Sequence, residues 1–129
     1  LSDFSLPQSK NSIVVEGAGG VLVPLNNEDT ILDLIERLKI PVIVVTKNYL
    51  GSLNHTLLTI SALASRNIPI IGLIFNGKEN PELEQFLCKK TGLPHLLSIK
   101  EENVLSKNIV TKYANQLIKK GVFNDHIVS

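Results

Sequence analysis

The chain has 129 residues, 43% of them hydrophobic and 19% charged, with 13 Lys and Arg against 12 Asp and Glu and a single cysteine. This is the length of one domain with a sizeable core, and such a composition excludes a disordered segment. The balanced charge offers no basic stripe for nucleic acid, and no uncharged apolar run approaches the roughly 18 residues of a membrane span. A signal-peptide layout is missing. Cys88 alone can form neither an internal disulfide nor a multi-cysteine zinc site, which points to an intracellular, cytoplasmic chain. There is no methionine, and the chain begins at Leu1. Translation starts with Met, and its removal normally exposes a small residue, so the sequence is expected to be a piece of a longer protein.

In chain order the first element is Ser12-Ile13-Val14-Val15, a short apolar run read as a strand, followed by Glu16-Gly17-Ala18-Gly19-Gly20. Thr30 to Lys39 has helical spacing, with Asp29 or Thr30 as N-cap. Pro41 to Val45 is a second strand. Ser52 to Arg66 is a helix with Leu53, Leu57, Ile60 and Ala64 on one face. Ile68 to Phe75 is a third strand. Pro81 to Lys90 is a helix capped by Asn80, with proline at its first position and Glu82 in its first turn. His95 to Ser98 is a weaker strand. Val104 to Lys120 is a helix carrying Leu105, Ile109, Tyr113 and Leu117, and it ends in two lysines before Gly121. Continuous apolar strands imply burial on both faces. The fold class is therefore α/β, a parallel sheet flanked by helices.

Ligands of such sheets sit beyond the C-terminal strand ends. At the first end, Glu16 is a hard oxygen ligand suited to Mg²⁺, and the glycines let backbone N–H groups approach an anion. A tight turn with a solvated glutamate is the other reading. At the second end, Gly51 and Ser52 open a helix whose free N–H groups can receive a phosphate or carboxylate; ordinary N-capping by Ser52 also explains them. His55 has no second ligand at metal spacing and reads as an oriented hydrogen-bonding residue. At the third end, Asn76-Gly77 is first a turn signal, yet the Asn amide carries the donor–acceptor pair that reads adenine. The fourth end, Ser98 to Asn103, is charged and unspecific. Cys88 lies mid-helix without a nearby His, which does not favour a catalytic thiol.

Taken together, Val15 to Gly20 with Val23-Pro24-Leu25, then Pro41 to Val45, Leu50-Gly51-Ser52-Leu53-Asn54-His55-Thr56-Leu57-Leu58-Thr59 and Gly72 to Asn76 resemble dethiobiotin synthetase in order and spacing. The likeness covers about residues 12 to 100. It implies a three-layer, P-loop NTPase-like (Rossmann-type) domain, incomplete here, with residues 1–129 forming its C-terminal portion. It implies an ATP- and Mg²⁺-dependent ligase that turns 7,8-diaminopelargonic acid and CO₂ into a carbamate, phosphorylates it and closes the ureido ring of dethiobiotin in biotin biosynthesis. By the same likeness Glu16 would be the Mg²⁺ ligand beside the ATP phosphates. Gly17, Ala18 and Gly19 would line the phosphate and reaction site. Asn76 with Gly77 would contact adenine. Gly51, Ser52, Leu53 and Asn54 would bind the substrate's far carboxylate in the active site of a neighbouring subunit, which implies a homodimer.

Two departures stand out. The family opens with a P-loop, Gly-x-x-x-x-Gly-Lys-Thr, and this chain contains none. Where members show Gly-x-Ile-Pro after the fourth strand, this chain has Ser98-Ile99-Lys100-Glu101. The isolated chain is therefore expected to be inactive, the missing N-terminal half supplying the triphosphate site. A non-catalytic relative, acting as a regulatory or partner-binding domain, is the alternative. Another P-loop ATPase or an amidotransferase-type synthase is a third option, against which the Leu-Gly-x-x-Asn-His block argues.

Overall fold

The computed structural model describes Leu1 and residues 4–123. Its elements are α1 (Ile31–Leu38), β1 (Val42–Lys47), α2 (Ser52–Ser65), β2 (Ile70–Asn76), α3 (Pro81–Thr91), β3 (His95–Ile99) and α4 (Lys107–Lys119). The three strands form one parallel sheet in the order β1-β2-β3. Among the described residues, no helix is long and apolar enough to cross a membrane.

The helices start and stop where local chemistry dictates. In α1, the Thr30 N–H and hydroxyl both donate to Asp33, at 2.7 and 2.6 Å, a reciprocal cap that satisfies first-turn donors. In α3, the Asn80 side chain accepts from the Leu83 N–H at 3.2 Å, Pro81 opens the helix, and Gly92 ends it at φ +71°. The last helix starts three residues later than the apolar spacing suggested. Ser106 accepts from the Ile109 N–H and fixes the start there, which leaves Val104 and Leu105 exposed. At its far end, Gly121 takes a positive φ, and the Val122 N–H reaches back to the Leu117 carbonyl.

Two apolar clusters lie on opposite faces of the sheet. Leu73 and Phe75 of β2 join Val44, Leu32, Leu63 and Leu87 beneath α1, α2 and α3. Ile74, one residue out of phase, joins Leu97, Tyr113 and Val122 beneath α4, as a two-residue strand period requires. β2 and β3 approach so closely that a Cβ on Gly72 would lie 2.6 Å from the Pro94 carbonyl oxygen. That contact sits beside the register shift between Leu73 and Ile74.

Three expectations are corrected. Ser12–Val15 is not a strand: it lies in irregular chain with Val14 90% exposed. A strand exists only where a neighbour shares its ladder, and no strand lies beside this run among the described residues. β1 is fully buried on one face only, with Val44 and Thr46 inside; on the other face Ile43 is half-buried against the second cluster and Val45 is 61% exposed, because it is an outer strand and α4 packs on β3. In α2, Ala64 faces out, and the inward stripe runs through Ser52, Thr56 and Leu63, with Leu53, Leu57 and Ile60 half-buried beside it. The Thr56 hydroxyl donates to the Ser52 carbonyl at 2.8 Å, so it must accept the 2.7 Å hydrogen bond from Thr46. This buried chain turns the polar stripe inward and bolts α2 to the end of β1.

Candidate active site

The glycine loop after residue 15 is placed by α1. Gly17 rests on Ile31, and a Cβ there would come within 3.1 Å of the Ile31 side chain. Gly19 has φ +84°, a backbone that glycine adopts at low cost. The Val23 N–H closes the turn onto the Gly20 carbonyl at 3.0 Å, and the Ile31 and Leu32 N–H groups donate to the Val23 and Val21 carbonyls. Glu16 and Ala18 are exposed. No group of three or more His, Cys, Asp or Glu is placed to hold a metal among the described residues. Glu16 therefore stands as a single carboxylate on this surface.

The start of α2 is the second part. Gly51 is the N-cap at φ +92°. Nothing lies within 4 Å of where its Cβ would be, so the backbone angle alone calls for glycine. The Ser52 N–H is taken by the Tyr49 carbonyl at 3.0 Å, and the Ser52 side chain is buried. The helix carries no side-chain cap and no acidic residue in its first turn. This leaves the N–H groups of Leu53 and Asn54 as the open donors at its positive end. Tyr49 Oη lies 2.6 Å from His55 Nδ1, so His55 is an oriented hydrogen-bonding side chain, as expected. Gly20, Val21 and Leu22 meet Tyr49, His55, Leu58 and Thr59 around a shallow cleft of about 380 Å³. The end of the glycine loop and the first turns of α2 thus share this cleft, while Glu16 to Gly19 and Gly51 to Asn54 do not line it.

The third part is the rim at the ends of β1, β2 and β3. Lys47 pairs with Asn76, and Asn76 with Ile99. The Asn76 side chain is exposed; Gly77 is buried at φ +104°, and its N–H donates to the Ile99 carbonyl at 2.8 Å. The Lys47 stem and the Glu101 carboxylate flank Gly77, both within 3.8 Å of where its Cβ would sit. Asn48 Nδ2 donates to the Lys78 carbonyl at 2.7 Å and joins the β1–α2 loop to the β2–α3 loop. Its Oδ1 is buried without a hydrogen-bond partner, at a cost of about 1–3 kcal/mol.

The segment after β3 is charged and unspecific as sequence, but in the structure it is firmly tied. Lys100 Nζ pairs with Glu79 at 3.0 Å, which holds the lysine above its ordinary range. Tyr113 Oη donates to Glu102 at 2.6 Å and accepts from the Lys100 N–H at 3.1 Å. The bond to the Glu102 carboxylate pushes the phenol up. Beneath this rim lies a polar cluster in which Glu84 is buried, Ser98 half-buried and His95 exposed. Ser98 Oγ donates to Glu84 Oε2 at 2.7 Å, which leaves His95 Nε2, at 2.8 Å, as donor to Ser98. The His95 ring stacks on Phe75 with centroids 5.5 Å apart. Glu84 approaches the same imidazole nitrogen, at 3.5 Å, so the three groups do not form a nucleophile–base–orienter chain. Burial, then Glu84, pushes the Cys88 thiol up, away from thiolate chemistry. Lys47, Asn48 and Glu101 escaped sequence reading. The signal that pointed near them was their place just past apolar strand runs.

Comparison with known proteins gives the family. Residues 1–108 match the family described as an AAA domain. The ATP-dependent dethiobiotin synthetase of Cytophaga hutchinsonii is 47% identical over 118 residues, covering 91% of this chain and 57% of that protein. The one from Christiangramia forsetii is 41% identical over 120 residues, covering 93% of this chain and 58% of that protein. The chain belongs to this AAA-domain family, with the dethiobiotin synthetases as its relatives. It spans a little over half the length of the curated relatives it matches most extensively. Within the family, its parallel three-stranded sheet and flanking helices form part of a P-loop NTPase-like α/β architecture. A match of 118 residues on a chain of 129 necessarily contains Glu16 to Gly20, Gly51 to Asn54 and Asn76-Gly77.

Proposed function

We propose that these residues are the C-terminal part of a cytoplasmic, homodimeric ligase that closes the ureido ring of dethiobiotin from 7,8-diaminopelargonic acid and CO₂, using ATP and Mg²⁺. The observation that carries this reading is the 47% identity over 118 residues to a protein named ATP-dependent dethiobiotin synthetase, which takes in every candidate site segment.

Glu16 would hold Mg²⁺. It is exposed and makes no ion pair or hydrogen bond to another side chain among the described residues. A lone carboxylate fits a cation that commonly takes one or two protein carboxylates and completes its shell with water and phosphate oxygens. When bound, the ion neutralises charge that builds on the phosphoryl group. The Gly17, Ala18 and Gly19 backbone would line the same phosphates, side chains being small enough to admit them. The free N–H groups of Leu53 and Asn54 would receive the far carboxylate of the diamine, with Gly51 and Ser52 shaping the turn. Asn76 would offer its amide to the adenine edge, and Gly77 would keep that approach clear. One amine takes up CO₂ as a carbamate, a carbamate oxygen attacks the γ-phosphorus as ADP leaves, and the second amine closes the ring as phosphate leaves. The residues contribute position and electrostatics, on which phosphoryl transfer chiefly depends.

The test is the full chain as its source cell makes it, given ATP, Mg²⁺, the diamine and bicarbonate, with dethiobiotin read by mass spectrometry. Product with one ADP and one phosphate per turnover is expected. Glu16→Gln is expected to lower kcat roughly 100-fold, the scale of one lost electrostatic contact at a reacting centre. A folded full chain that makes no product overturns the reading.

A further inference from the structure

The amide of Asn48 is the one side chain whose hydrogen bond joins the loop leading into α2 to the loop leaving β2, among the described residues. Apart from this bond, each loop is held only from its own side. The α2 side is fixed by the Thr46–Thr56–Ser52 chain. The β2 side is fixed by the Gly77–Ile99 hydrogen bond and the Lys100–Glu79 pair. Asn48 follows Lys47, which is in register with Asn76. It stands three residues before Gly51, the N-cap of α2. Its buried Oδ1 has no partner, while its Nδ2 holds the Lys78 carbonyl, so an apolar side chain would relieve the first atom and release the second. What the amide does accomplish is to fix the distance between the two loops.

We propose that Asn48 is a positioning residue that couples the anion site at the start of α2 to the purine end of the nucleotide site at Asn76-Gly77. The proposal rests on the functional reading above. Ordering one loop by its ligand presents the other already held, so each ligand tightens the other. By linkage the two factors are equal.

The experiment measures diamine affinity with and without a non-hydrolysable ATP analogue, by calorimetry on the full chain, for the wild type, Asn48→Ala and Asn48→Ser. In the wild type the analogue is expected to tighten the diamine by about 5-fold or more. In both variants the factor falls toward one, while each ligand alone still binds. A purely structural role would instead lower the melting temperature and leave the factor intact, and that result overturns the proposal. Amide hydrogen exchange on the wild type tests it without any variant. The ATP analogue is expected to slow exchange at residues 48–54 as well as 76–80, and slowing confined to 76–80 overturns it. A wild-type chain that binds neither ligand overturns the functional reading, and this proposal falls with it. Binding of both with the same factor in all three chains overturns this proposal alone.

Discussion

Ser12–Val15 and Val42–Val45 are nearly the same text, short β-branched runs that lead toward candidate ligand-binding turns. One lies in irregular chain with Val14 90% exposed, and the other is a strand paired residue by residue with β2. Local propensity is equal in the two, so propensity does not decide. What decides is a neighbour: Val42 to Lys47 finds β2 across its ladder, and Ser12 to Val15 finds no strand beside it among the described residues. An apolar run is a strand in waiting, and its burial belongs to its partner as much as to itself.

The sharpest way to break this contrast is to cut matching side chains from the two kinds of position. Leu73→Ala, at a fully buried β2 site, is expected to cost about 2–5 kcal/mol, whereas Val14→Ala stays within about 0.5 kcal/mol. Urea unfolding of both variants measures this, and a comparable loss at Val14 would mean that the segment is packed after all. A smaller effect is expected where the paired region is tightest. Gly72→Ala drives a methyl against the Pro94 carbonyl and Leu96, and about 1–3 kcal/mol is expected by the same denaturant titration. A neutral result would show that β3 can slide away.

The smallest effect concerns α1, the helix on which Gly17 rests. Hydrogen bonds from the Thr30 side chain and backbone, then Arg66, hold the Asp33 carboxyl down to about 2. A depressed carboxylate contributes stability above its ordinary value of 3.8, and that contribution is lost as pH falls from there toward 2. Asp33→Asn is expected to flatten the melting temperature across that window by a small amount, since the group is exposed to solvent. A wild-type slope that persists unchanged in the variant would assign the acid loss elsewhere.

Much of the architecture was legible because its signals are local. Asn80-Pro81 and Gly121 announce helix ends through single-residue backbone chemistry, and Ile68 to Phe75 is apolar enough to require burial on both sides. Apart from the start of α4, which a local cap at Ser106 decides, the failures share one cause, which is partnership between distant residues. The exposure of Val45 depends on where α4 lies, and the inward turn of Ser52 and Thr56 depends on a hydroxyl ten residues earlier. The site divides in the same way. Glycine loops and helix starts are visible as text, so Gly17, Gly19 and Gly51 could be named in advance. Asn48 and Glu101 could not, because their meaning comes from a carbonyl or a glycine on another loop.

The sheet order also sets the tempo of folding. β2 is the middle strand, and its ladder partners lie far away in sequence, Val42 with Ile70 on one side and Leu73 with His95 on the other. Neither pairing can form until an intervening helical segment has been closed into a loop, and that entropy is spent before any ladder bond repays it. The molecule is therefore committed to a slow, convergent search in which a single central strand must recruit both neighbours. Its apolar surface stays open to other chains until that search ends.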